Sequence, residues 1–166
     1  MTKYRIVENK IVEIYNIKSQ YIKFNKLYFD NKLPINIEVS FQKASQGDRV
    51  AGGGAYEKRE GRNIVGVEKI KLSTLDHIYD DEILNELYDE ILIHEMCHAW
   101  IFETIGNVKM NHGQEFKDKI KEINRKRPFK FLNMNKFTET SVPSKYIKQS
   151  YFDSLKREKT SKNMIG

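Results

Sequence analysis

Residues 80–104 read Asp80-Asp81-Glu82-Ile83-Leu84-Asn85-Glu86-Leu87-Tyr88-Asp89-Glu90-Ile91-Leu92-Ile93-His94-Glu95-Met96-Cys97-His98-Ala99-Trp100-Ile101-Phe102-Glu103-Thr104. Leu84, Leu87, Ile91, His94 and His98 follow one another at steps of three, four, three and four, the spacing of one helical face. Three acidic residues at the start stand where the positive end of a helix dipole favours them, and Gly106-Asn107 supplies a stop. The stretch predicts one helix from about Asp80 to Thr104, with a stripe that changes from aliphatic to imidazole along its length.

Working outward toward the N-terminus, Val7, Ile11, Ile14, Ile17, Tyr21, Phe24 and Tyr28 also recur at three- and four-residue steps. This predicts a long amphipathic helix from Tyr4 to Phe29 that stops near Asp30, ahead of Leu33-Pro34. Ile35, Ile37, Val39 and Phe41 then alternate with polar residues, the period of a strand with one buried face. Ser45-Gln46-Gly47-Asp48 reads as a turn, Val50–Lys58 and Asn63–Leu72 as strands, and Arg59-Glu60-Gly61-Arg62 as their hairpin link. Toward the C-terminus, Asn111-x-x-Gln114 resembles a capping box that would start a helix at His112, continuing through Phe116, Ile120 and Ile123. Helix, three strands and two helices in that order predict an α+β fold with a three-stranded, mainly antiparallel sheet.

The chain has 166 residues, 39% of them hydrophobic, enough for one core and too few for two comfortable domains. We expect that core in residues 1–127 and a basic, partly flexible extension in 128–166. Residues 1–116 carry 15 Lys+Arg against 18 Asp+Glu, and residues 117–166 carry 14 against 5. A basic tail on a slightly acidic body suits a polyanion, nucleic acid being the commonest, because phosphate neutralisation releases counterions; a solvated tail is the competing reading. No stretch reaches the roughly 18–20 apolar residues of a membrane helix, and the opening residues lead into charged sequence. The expectation is a soluble, cytoplasmic protein. Cys97 is the single cysteine, which excludes an internal disulfide and a paired-cysteine zinc ribbon, so any metal must be held mainly by His and carboxylates.

His94-Glu95-Met96-Cys97-His98 is an HExxH sequence. On a helix its two histidines lie one turn apart, so both imidazoles can reach one ion. A catalytic zinc site uses three protein ligands and leaves the fourth position to water, and Glu95 adjoins the first ligand, where it could take that water's proton. Without a metal, two imidazoles and a carboxylate facing a core would need several polar partners, each unmet group costing about 1–3 kcal/mol.

For the third ligand, His112 lies 14 residues after His98, a separation that a loop through Gly106-Asn107 can turn back on the metal. Glu115 and Glu122 on the next helix are its rivals. His77 falls in a turn-like setting before the helix and reads as a surface residue, and Cys97 lies off the two-histidine face as a packed thiol.

Two weaker signals accompany the motif. Ala51-Gly52-Gly53-Gly54-Ala55 has almost no side chains, so an extended peptide could approach its backbone and add as a strand; a bulge or turn is the other reading. In the tail, Arg125-Lys126-Arg127 with Phe129, Lys130, Phe131 and Lys136 interleaves charge and rings as single-strand binders do, although core packing would use the same rings.

Asn25-Lys26-Leu27-Tyr28-Phe29 with Leu33-Pro34, Ile70-Lys71-Leu72-Ser73, Ile93-His94-Glu95-Met96-Cys97-His98-Ala99-Trp100 and His112-Gly113-Gln114-Glu115-Phe116-Lys117 together resemble the SprT-like (Spartan-like) zinc metalloproteases, over most of the first 125 residues. HEMCHAW followed by HGxxFK is far more specific than HExxH alone. The resemblance implies a zincin-like minimal protease core, Zn²⁺ on His94, His98 and His112, and Glu95 as catalytic acid/base. It also implies a protein substrate that is associated with or crosslinked to DNA, which gives the basic C-terminal part single-stranded or damaged DNA as a partner. Many members carry a cysteine-rich zinc ribbon after the protease core, and this chain has Cys97 alone.

The sequence reading is therefore a zinc-dependent endopeptidase. The alternatives are a nucleic-acid-binding module with a structural metal, and a zinc hydrolase acting on something other than protein. Glu95 separates the first two, since a structural site needs no general base beside an open coordination position.

Overall fold

A computed structural model describes residues 5–7, 10–12, 15–42, 53–74, 81–108 and 112–127. The first of these form a two-stranded antiparallel ribbon, β1 (Arg5–Val7) and β2 (Lys10–Val12), with Ile6 opposite Ile11. Helix α1 spans only Ile17–Tyr28. The long helix expected from Tyr4 is thus corrected to a ribbon plus a helix of 12 residues. The β-branched pairs Ile6-Val7 and Ile11-Val12 suit extended chain. Asn16 then sets the true helix start, its side chain accepting the Ser19 N–H at 2.9 Å.

Ile17, Tyr21 and Phe24 give α1 its buried stripe. The helix ends where Asp30 and Asn31 take φ of 51° and 58°, a left-handed conformation that Asp and Asn tolerate better than most residues. Buried Asn25 ties the returning loop down: its Nδ2 donates to the Leu33 carbonyl at 2.9 Å and its Oδ1 accepts the Leu33 N–H at 3.1 Å. Tyr21 adds a bond from its hydroxyl to the Pro34 carbonyl at 2.6 Å.

The main sheet comprises β3 (Glu38–Gln42), β4 (Gly53–Glu60) and β5 (Asn63–Ser73). The expected alternation holds within β3, where Val39 and Phe41 are buried, but Ile35 is 60% exposed and precedes the strand. Residues Gly61 and Arg62 make the hairpin turn, Gly61 at φ 62°. The turn expected at Ser45–Asp48 lies outside the described residues.

Strand order is β3-β5-β4, with β3 parallel to β5 and β4 antiparallel to it. The sheet is therefore mixed rather than mainly antiparallel. Alternation in sequence says which residues face the core but not which neighbour a strand takes or in which direction.

Helix α2 (Asp81–Thr104) packs beneath this sheet, and α3 (Gln114–Lys126) packs on α2. Val67, Ile70 and Leu72 from β5, Leu87, Ile91 and Leu92 from α2, and Phe116, Ile120 and Ile123 from α3 share one buried cluster. Each such side chain contributes about 1.5–3 kcal/mol by leaving water. Helix α3 begins at Gln114 rather than His112. Its N-cap is Gly113, which makes no side-chain cap bond, and Gln114 Nε2 instead donates to Asp118 Oδ1 at 2.6 Å.

The C-terminal end of α2 is stitched to the β4–β5 hairpin. Glu103 Oε1 accepts the Val67 N–H at 2.8 Å, between two register irregularities of the β4–β5 ladder. Asn107 Oδ1 accepts the Ile64 N–H at 2.9 Å, and its Nδ2 donates to Asn63 Oδ1 at 3.2 Å. These bonds anchor β5 to the end of α2, and β4, paired with β5, lines the same cleft as the histidines.

Candidate metal centre

His94 and His98 project from α2 one turn apart, their ring centroids 5.0 Å from each other. His112 lies in the turn before α3 and returns to the same place: its Nε2 is 3.1 Å from that of His98 and 3.3 Å from that of His94. Gly106, at φ 86°, begins this return. Three imidazole nitrogens thus converge, and they could hold a metal ion.

The donor set fits such an ion. Two nitrogens bound at about 2.0–2.1 Å to one tetrahedral centre lie about 3.3–3.4 Å apart, close to both separations seen here. Hydrogen bonding explains the cluster less well, because a neutral imidazole nitrogen carries either one proton or one lone pair, and His112 Nε2 faces two neighbours. Burial pushes the His94 imidazole down to about 4, with the neighbouring His112 adding to the effect. Burial and then His94 and His112 push His98 down to about 3, and burial also lowers His112. All three rings are therefore uncharged at neutral pH, with lone pairs available to a cation.

Glu95, buried on α2, lines the same cleft as the three histidines. Burial raises its carboxyl to about 7, opposed by a hydrogen bond from the backbone N–H of Ala55 on β4. The facing wall is the edge strand itself, Gly53 to Glu57, with Phe102 of α2 also at the cleft. Gly53 explains how the wall comes so near. A Cβ there would lie 3.1 Å from the Lys71 carbonyl oxygen and 3.2 Å from Ile91 Cγ2 of α2.

Of the residues singled out in sequence, the structure brings His94, Glu95, His98 and His112 to one cleft. The rival ligands stay away: Glu115 is exposed on α3, and Glu122 is paired with Lys119 Nζ at 2.7 Å. Cys97 is fully buried, and burial raises its thiol far above the usual range. His77 and residues 128–166 lie outside the described residues. The glycine-rich stretch, from Gly53 onward, is strand rather than turn. Sequence reasoning missed Phe116 as part of the site, although it follows His112 by one helical turn.

The model of the SprT-like family matches residues 17–142, most of the chain. No curated protein and no solved structure is significantly similar to it. Among the described residues, no helix is long and apolar enough to cross a membrane.

Proposed function

The chain belongs to the SprT-like family, and from that premise we propose that it is a zinc-dependent endopeptidase with a zincin-like core. A metalloprotease-like domain is what the family suggests. The observation that carries the finer reading is the convergence of three Nε2 atoms in the cleft that the Glu95 carboxyl of the HExxH motif also lines.

His94, His98 and His112 would hold the ion, which supplies Lewis-acid activation of a water molecule and of the scissile carbonyl. Glu95 takes the proton from the attacking water and returns it to the leaving amine nitrogen. The Ala55 N–H fixes the carboxylate for that work. Strand β4 is an edge of the sheet, and Gly53 and Gly54 carry no side chains. An extended peptide can lie along it and meet Glu95 from the strand side. A structural metal in a nucleic-acid-binding module fits less well, since such sites are closed by four ligands and have no use for a buried carboxylate.

The substrate we propose is a protein held on or crosslinked to DNA. Support comes from charge: Lys117, Lys121, Arg125 and Lys126 stand on α3, and 14 Lys+Arg against 5 Asp+Glu fill residues 117–166. Binding to single-stranded DNA should then weaken steeply with salt and on removal of residues 128–166.

The decisive experiment is Glu95→Gln. It should retain about one zinc per chain and lose peptide hydrolysis by roughly 10²–10⁴-fold. Cleavage at the wild-type rate in that variant would reject the mechanism.

A further inference from the structure

Phe116 is fully buried in the first turn of α3, and its ring touches all three imidazoles. It stacks on His98 with centroids 4.5 Å apart and planes at 29°. It meets His94 at 4.9 Å and 65°, and His112 at 4.8 Å and 81°, both edge-on. The three histidines come from two elements, α2 and the turn before α3, and this one ring bridges them.

We infer that Phe116 is the positioning residue of the three-histidine centre, setting the mutual orientation of the imidazoles so that their Nε2 lone pairs meet at one point. The inference rests on the reading of those histidines as metal ligands. Metal-binding imidazoles are ordinarily oriented by a hydrogen bond at the nitrogen that does not bind the metal. Among the described residues, the hydrogen-bond contacts of these three rings are those between their own Nε2 atoms. Contact with a rigid plane takes the place of that bond. Offset-stacked and edge-to-face geometries are the arrangements that aromatic quadrupoles prefer, so each contact has a defined angle as well as a distance.

Phe116 is two things at once, a core side chain and a template, and the test has to separate them. Phe116→Leu removes the plane but keeps an apolar side chain. Phe116→Met, similar in volume to leucine but unbranched and more adaptable, serves if the leucine variant does not fold. Ile123→Ala is the control: Ile123 is equally buried on α3, two turns further on, and does not belong to the ring cluster. Zinc affinity is read by competition with a chromogenic chelator, and ligand geometry by the visible spectrum of the cobalt-substituted protein.

Phe116→Leu or Phe116→Met should weaken zinc binding roughly 10–100-fold and change the intensity and position of the cobalt bands, while Ile123→Ala lowers the melting temperature with neither effect. Wild-type affinity and an unchanged cobalt spectrum in a folded Phe116 variant would overturn the inference and leave the metal reading intact. Equal loss of affinity in Ile123→Ala would overturn it too, reducing Phe116 to packing. A wild-type protein that binds no zinc would remove the metal reading itself, and the inference with it.

Discussion

The backbone N–H of Ala55 on the edge strand donates to the carboxylate of Glu95 on the helix beneath it. One hydrogen bond therefore joins the general base of the proposed mechanism to the strand along which, in that proposal, a peptide would lie. Because an amide oxygen can still accept that bond, Glu95→Gln should melt within a degree or two of wild type despite losing activity. Glu95→Ala loses the acceptor and should cost about 1–2 kcal/mol. Thermal denaturation of both variants checks this. Equal melting of the two would mean that the bond contributes nothing to holding strand and helix together.

Gly53 and Gly54 are adjacent in sequence and opposite in consequence. A Cβ on Gly53 meets Leu72 Cδ2 at 3.0 Å, the Lys71 carbonyl at 3.1 Å and Ile91 Cγ2 at 3.2 Å, so the strand must move off the helix to admit it. The nearest atoms to a Cβ on Gly54 are those of the Tyr56 side chain, from 3.5 Å outward, which is ordinary contact. Gly53→Ala should destabilise by about 1–3 kcal/mol and widen the cleft, with hydrolysis falling. Gly54→Ala should leave stability within about 0.5 kcal/mol. Equal effects of the two in denaturant titrations would contradict this asymmetry.

The histidine cluster makes a separate statement about metal removal. Saturation at about 100 times the dissociation constant adds about 2.7 kcal/mol to stability, so chelation should lower the melting temperature and zinc should restore it. His112→Ala should abolish most of that response. Glu122→Ala should not, because Glu122 is engaged with Lys119 rather than turned to the cluster. Zinc content that falls with Glu122→Ala and not with His112→Ala would reassign the third ligand.

The helix bearing the site was legible because a long periodic stripe and an acidic start agree, and His94 and His98 lie in phase with Leu87 and Ile91. Spacing favoured His112 over its rivals Glu115 and Glu122, and the resemblance pointed to it as well. The ribbon β1–β2 was not, because Val7, Ile11 and Ile14 also satisfy a helical period and strands of 3 residues are too short to display alternation. Tertiary relationships left no local trace. The parallel pairing of β3 with β5, the bond from Val67 to Glu103 and the place of Phe116 among three rings all join residues distant in sequence, or depend on how two helices pack.

Glu90 and Arg127 show how one such distant pair should govern pH dependence. Arg127, just past the end of α3, donates through two nitrogens to the Glu90 carboxylate on α2, one bond at 2.7 Å, with side chains 11% and 7% exposed. Burial holds the Glu90 carboxyl above its ordinary range, the bond and charge of Arg127 pull it back, and Asp89 and Glu86 push it up again. A raised carboxyl in the folded state favours folding in acid, and that contribution is lost as pH rises through the folded pKa. Arg127→Met removes the lowering influence and leaves a buried carboxylate without its partner. The variant should lose about 3 kcal/mol at about pH 8, and distinctly less at about pH 5, where Glu90 can take up a proton. Urea titrations at the two pH values measure the difference. A penalty that is constant with pH, or larger in acid, would mean that Arg127 stabilises the end of α3 by packing alone.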